Sequence, residues 1–448
     1  MPTPKQLGPM HPYFLLLATS LLLLSAAVPA CTAQGSSTGD RQPPLVAHLA
    51  KDADTSLYTI SVKDGGAPLV VDLAGPLVWS TCPPAHPTFP CDSGECAAAN
   101  AQPGCENAGH GAAAAPDGGW SSRCRCTAEP CSPVPPGVCA PGDLTSFAMA
   151  AEATDGRNTL YPVSFTAVGS CAPDRLLRSL PAGAAGVAGL GRAALSLPSQ
   201  LAAQRRFGRR FAVCLPGVAL FGATPIYLTG YPPELTGVIA RTPLAKNPRG
   251  GGYYLPVEGA SVFWNGVTVP AASIPPGALA VDPWTGRGGV ALSTVRRHTA
   301  VRGEVLRPLL QAFEAAVATA GYAVNKTAAA PPFQLCYDTF TMRRTKRTGW
   351  DFPSVRLELA AGASMNWSID SGGYLVQQPG SRTACLGFVE MDDDDDGDAA
   401  APAVVIGGSQ LEDNLLVFDE DEEVLHFSGL LWGSGASCSS FNFSRANP

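Results

Sequence analysis

The segment Leu69-Val70-Val71-Asp72-Leu73-Ala74-Gly75-Pro76-Leu77-Val78-Trp79-Ser80-Thr81-Cys82 constrains the fold most. An apolar run ends in an aspartate, turns through small residues and re-enters an apolar run. That order predicts two strands joined by a tight turn, with a carboxylate held where the first strand ends. A related pattern recurs. Gly186-Val187-Ala188-Gly189-Leu190-Gly191 is an apolar strand ending in glycine, and Val404-Val405-Ile406-Gly407-Gly408 matches it. Glycine at these ends permits close backbone crossing. About the same interval as separates Asp72 from the first glycine strand, carried back from Gly407, lands on Leu292 within Gly289-Val290-Ala291-Leu292-Ser293-Thr294. The chain therefore reads as a diverged duplication, with Leu292 expected at the place equivalent to Asp72.

At 448 residues, two packed lobes are expected, here 45–230 and 240–448. Gly (48) and Pro (42) are spread without a period, which favours many short strands joined by turns. Regular helix is scarce. Leu197 to Gln204 is one short helix, and Arg302 to Ala320 is the long one, with Val305, Leu309, Leu310, Phe313 and Val317 at helical spacing. Residues 56–62 alternate with period two and predict a strand, followed by turn chemistry in Lys63-Asp64-Gly65-Gly66. A net charge of −7 gives no footprint for a nucleic-acid partner.

The N-terminus reads as a secretory signal over residues 1–30. Lys5 is the positive region and Tyr13 to Ala27 an apolar core too short to span a bilayer comfortably. Cleavage fits after Ala30 or Ala33; the second site removes Cys31 and leaves an odd number of cysteines. No other stretch predicts a membrane span. In an oxidising compartment the 14 cysteines predict disulfides. Eight of them (Cys82, Cys91, Cys96, Cys105, Cys124, Cys126, Cys131, Cys139) fall in one segment rich in Pro and Gly, expected to be an irregular excursion stapled by bridges. Cys171, Cys214, Cys336, Cys385 and Cys438 are also expected in bridges. Their spacings do not pair as zinc ligands do, so no metal is expected. Asn325, Asn366 and Asn442 each open an Asn-x-Ser/Thr glycosylation acceptor.

In combination, Asp72 to Cys82, Ala185 to Leu190, Cys336-Tyr337-Asp338, Ala384 to Met391 and Ile406 to Asp413 resemble the plant branch of the pepsin-like aspartic peptidases. Within it they are similar to the cereal xylanase-inhibitor and basic 7S globulin group. The resemblance covers nearly all of the chain after the signal. It implies an all-β, bilobal pepsin-like fold, no cofactor, a Cys336–Cys385 bridge, and an inhibitor of microbial polysaccharide-degrading enzymes in place of a peptidase.

The peptidase reaction needs two carboxylates a hydrogen bond apart, one ionised and one protonated. In the family motif Asp72 would be followed by Thr and Gly; here Leu73 and Ala74 follow. With Leu292 at the second position the pair is broken. Asp370 in Ile369-Asp370-Ser371-Gly372 lies too close to Gly407 to serve and reads as a turn between strands; Asp282 lies too early. The family also places a tyrosine over the cleft about forty residues after the first aspartate, and none occurs between Tyr58 and Tyr161. Asp72 is then expected to act as a hydrogen-bond acceptor holding its own turn.

None of the six histidines sits in a metal pair or beside a nucleophile elbow, and the acidic run Asp392 to Asp396 lacks the ligand ladder of a calcium loop. In xylanase-inhibiting relatives a histidine between the last strand and the final cysteine enters the target's active site; here Trp432 falls nearest to it. Trp432, with Arg296, Arg297 and His298 after the altered second motif, make the interface candidates. The expected partner is a secreted glycoside hydrolase of the xylanase or glucanase class, met by a monomer in the apoplast or cell wall. Two alternatives stay open: a divergent aspartic endopeptidase using Asp72, and a non-inhibitory extracellular or storage globulin.

Overall fold

Two parallel strand pairs organise the computed structural model, which describes residues 41–100, 124–228, 235–237, 239–319, 321–345, 349–391 and 400–443. Strand Leu69–Asp72 lies parallel to Gly186–Gly189, with Gly189 opposite Asp72. Strand Val290–Leu292 lies parallel to Val404–Ile406, with Leu292 opposite Ile406. The duplication is thus visible as two copies of one crossing. Glycine is required at it: a side-chain carbon on Gly189 would stand 2.4 Å from the Gly75 carbonyl oxygen, and one on Gly407 2.5 Å from the His298 backbone.

The first pair sits inside a sheet of thirteen strands. Its outer part is the long hairpin Gly142–Ala153 with Tyr161–Cys171. Its other side runs through Leu45–Lys51 and Val218–Phe221 to Arg210–Cys214. There the chain's last long strands join it: Asn414–Asp419 pairs with Arg210–Cys214, and Val424–Leu430 pairs with Asn414–Asp419. The second pair belongs to a five-stranded sheet with Tyr254–Leu255, Thr299–Val301 and Phe388–Glu390. Apolar side chains of both sheets merge in one core, where Phe211 stacks on Phe418 at 4.8 Å.

Helix is sparse. Leu197–Arg205 is capped by Ser196, whose hydroxyl accepts the Ser199 N–H, and is stopped by Arg206 in the left-handed region (φ 57°). Gly303–Ala318 buries Val305, Leu306, Leu309, Ala312, Phe313 and Ala316. Leu310 and Val317 flank that stripe and are only partly buried. The strand expected over 56–62 is shorter, Tyr58–Ile60. Ser56 adopts a left-handed φ of 61° and donates its N–H to the Asp52 carbonyl, so the chain is still turning there.

Six disulfides join the described cysteines: Cys82–Cys171, Cys91–Cys124, Cys96–Cys126, Cys131–Cys139, Cys214–Cys438 and Cys336–Cys385. Cys131–Cys139 and Cys336–Cys385 each link residues directly opposite on paired strands. Cys105, the signal segment and the acidic run 392–396 lie outside the described residues. No described helix is long and apolar enough to cross a membrane.

Candidate functional site

Asp72 ends its strand at the crossing of the first half, partly open to solvent. Its Oδ1 accepts the Ala74 N–H at 2.9 Å, and its carbonyl accepts the Gly75 N–H at 3.1 Å. The side chain therefore closes its own turn, in the manner Asp commonly does. Burial raises its pKa above the ordinary carboxylate value, and the amides of Ala74 and Gly75 pull the other way. Among the described residues, no second carboxylate contributes to that shift.

Leu292 is not its counterpart. Its side chain is buried in the core, at 2% exposure, and its backbone is matched with Ile406. The next residue, Ser293, donates its N–H to the Ile406 carbonyl at 2.9 Å and so draws level with Gly407, as Asp72 is level with Gly189. The Ser293 hydroxyl accepts the N–H groups of Val295 (3.3 Å) and Arg296 (3.2 Å), closing its turn as Asp72 closes its own. The position equivalent to Asp72 is Ser293. The spacing in the second half is a little shorter than in the first, and an approximate interval falls one residue early.

Thr294 confirms the register. Its Oγ1 donates to the Val71 carbonyl at 2.6 Å and accepts the Leu73 N–H at 3.2 Å. These bonds cross from the second half to the backbone on either side of Asp72. Leu73 stands where a reciprocal hydroxyl would stand and has no oxygen to return them.

The other acids are committed elsewhere. Asp370 accepts the Ser354 hydroxyl at 2.6 Å and leads into the short helix Ser371–Tyr374. Asp282 holds its own loop through Trp284, the Thr285 N–H and the Thr285 hydroxyl. The place expected for the cleft tyrosine, about forty residues after Asp72, lies outside the described residues.

The interface candidates divide. Arg297 is exposed, and Trp432 keeps 47% of its surface open. His298 turns inward, with its ring 5.0 Å from Phe333 in an edge contact. Burial, then the neighbouring cations Arg297 and Lys51, lower its pKa to about 4. The carbonyls of Arg296 and Arg297 accept the N–H groups of Gly408 and Ser409, which open the helix Gly408–Leu411. Just beyond it, Glu412 accepts the Tyr58 hydroxyl at 2.6 Å, and Asp413 takes the Cys438 N–H and the Trp432 side chain. Glu412 and Asp413 thus lie between the two candidate loops. Cys82, His86 and Cys171 cluster closely, but the two thiols are spent in a disulfide, so the group holds no metal-ligand set. Asn325 and Asn366 are exposed, whereas Asn442 is half-buried in a strand paired with Tyr227–Leu228.

The fold and this altered crossing define a pepsin-like protein of all-β architecture. Family models described as "Xylanase inhibitor N-terminal" and "Xylanase inhibitor C-terminal" match residues 58–223 and 252–429. "Chitinase CLP" of Oryza sativa subsp. japonica is 42% identical, covering 96% of this chain and 99% of that protein. The crystal structure of edgp is 28% identical with a TM-score of 0.75, covering 90% of this chain and 98% of the other. An aspartic proteinase from Irpex lacteus, at 12% identity and TM-score 0.51 over 89% and 99% of the chains, shares the fold. The chain belongs to the plant xylanase-inhibitor and basic 7S globulin family of pepsin-like proteins.

Proposed function

We propose that this protein is a secreted, catalytically silent pepsin-like inhibitor of glycoside hydrolases of the xylanase or glucanase class, with lobes at 45–230 and 240–448. The observation that carries this reading is Ser293 in the place of the second acid. A serine hydroxyl, which here accepts two backbone N–H groups, is far too weak an acid to replace the protonated carboxyl that donates to the scissile carbonyl. The family match supplies the inhibitor class. Arg297 and Trp432 are the exposed groups we assign to the contact, because the Arg297 loop bonds to the start of the helix Gly408–Leu411 and the Trp432 loop to Asp413 just beyond its end. Six disulfides fit an oxidising extracellular site of action.

The test pairs two assays. The purified protein should leave denatured casein uncut at acid pH, with or without pepstatin. It should slow at least one enzyme in a panel of secreted xylanases and glucanases. Pepstatin-sensitive cleavage, or a panel wholly unaffected, overturns the proposal.

A second reading is favoured by the 42% identical protein named a chitinase: action on chitin itself. Release of soluble sugar from colloidal chitin by the protein alone decides for it.

A further inference from the structure

Tyr337 is 2% exposed, yet among the described residues nothing bonds its hydroxyl, and that oxygen is not sealed from solvent. A buried side chain whose polar atom lacks a partner is rare in a folded chain. Its position is firmly set. The strand Cys336–Asp338 is paired on both sides, with Tyr337 opposite Lys326 and Ala384, and the Cys336–Cys385 disulfide pins the residue before it. The ring packs edge-on against Phe352 at 5.0 Å. Burial, then the Glu314 carboxylate, raise the pKa of the phenol, so the hydroxyl keeps its proton and can donate it to an acceptor.

Tyr337 lines an open depression of about 570 Å³. The end of the helix Gly303–Ala318 contributes Val317 and Ala318 to it, and Val317 accordingly is only partly buried in the core. The segment that follows contributes Tyr322 and Val324. Tyr322 is held in place. Its hydroxyl donates to the Asp351 carbonyl at 3.1 Å, and the Arg343 guanidinium lies 4.1 Å over its ring. Glu314 and Lys326, both exposed, complete the lining and are joined as an ion pair.

We infer that this depression binds a small uncharged aromatic molecule, one of whose oxygens accepts the Tyr337 O–H. Walls of alkyl carbon with one phenol ring suit the face of an aromatic ring, and a single placed donor fixes its orientation, as is usual in small-molecule sites. Glu314 and Lys326 neutralise each other, so the lining offers no unpaired charge to a carboxylate or an ammonium group. A sugar fits less well, because its many hydroxyls would meet alkyl carbon and lose water without replacement. Tyr337 and Tyr322 are already fixed, so binding orders little of the protein. Neither Arg297 nor Trp432 lines the depression, and the site stands independently of hydrolase inhibition.

The experiment titrates the full-length protein with coniferyl alcohol, an uncharged phenol, and with ferulate, which carries the same ring and a carboxylate. Calorimetry and saturation-transfer NMR follow binding. Coniferyl alcohol should bind, and ferulate should bind severalfold more weakly. Tyr337→Phe should weaken coniferyl alcohol at least fivefold while the thermal midpoint of the free protein stays level or rises, since the lost hydroxyl has no partner to leave behind. Ala318→Trp, at an exposed position, should fill the depression and abolish binding without unfolding the chain. Trp284→Ala, exposed on another loop, should bind as the parent does. No binding of coniferyl alcohol overturns the inference, and so does ferulate binding the more tightly. Parent-like binding by folded Tyr337→Phe and Ala318→Trp proteins also overturns it. A lowered midpoint in ligand-free Tyr337→Phe would do so as well, by showing that the hydroxyl already serves the fold.

Discussion

The Thr294 hydroxyl donates to the Val71 carbonyl at 2.6 Å, tying one half of the molecule to the other directly beside Asp72. It also receives the Leu73 N–H, so one side chain satisfies two buried backbone groups. Thr294→Val keeps the shape and removes the oxygen. Unfolding in denaturant should show a loss of about 1–3 kcal/mol, the cost of leaving buried polar groups unpaired. An unchanged midpoint would mean that the bridge is slack.

Leu292 and Ser293 should behave as core and turn. Leu292→Ala opens a cavity at a 2% exposed site and should cost about 2–5 kcal/mol. Ser293→Ala loses one acceptor and should cost about 1 kcal/mol. The reverse order, measured by the same denaturant titration, would restore Leu292 to the site.

Asp72 carries a pH signature. Its folded pKa lies above its unfolded value because burial disfavours the charge. Its contribution to stability is therefore fully present below the ordinary carboxylate pKa and is lost as pH rises through the raised value. Asp72→Asn keeps an acceptor for the Ala74 N–H and removes the charge. Its stability relative to the parent should rise between acid and neutral pH, and parallel stability curves would refute this.

His298 has the opposite sign. Its pKa falls from 6.5 to about 4 on folding, so the unfolded chain takes up a proton first as the solution is acidified. Its contribution is complete above pH 6.5 and declines towards pH 4. His298→Gln should flatten that limb of the stability curve. Thermal melts at half-unit steps across the window give the comparison.

Much of this was legible in the chain. The apolar-Asp-turn-apolar segment and the two apolar-Gly strands announced both close crossings, though not their parallel sense, and the helical spacing after Arg302 announced the long helix. The residue at the second position was not resolved, because strand spacing fixes a region and only hydrogen-bond register fixes a residue. The signal was the Ser293-Thr294 pair itself, two short hydroxyl residues just after an apolar run, as a turn and a bridge require. His298 was read as available surface because charge and sequence position say nothing about Phe333, which arrives from a distant loop. The partners of Cys91 and Cys96, Cys124 and Cys126, were similarly beyond reach, since spacing does not fix connectivity.

Strand Asn414–Asp419 lies between Arg210–Cys214 and Val424–Leu430, and Cys438 closes on Cys214. The strand that covers Arg210–Cys214 thus comes from far along the chain. Without it, Arg210–Cys214 is a bare sheet edge, open to pairing with another molecule. A protein lacking Asn414–Asp419 keeps nearly every other strand and invites its neighbours to supply the missing one.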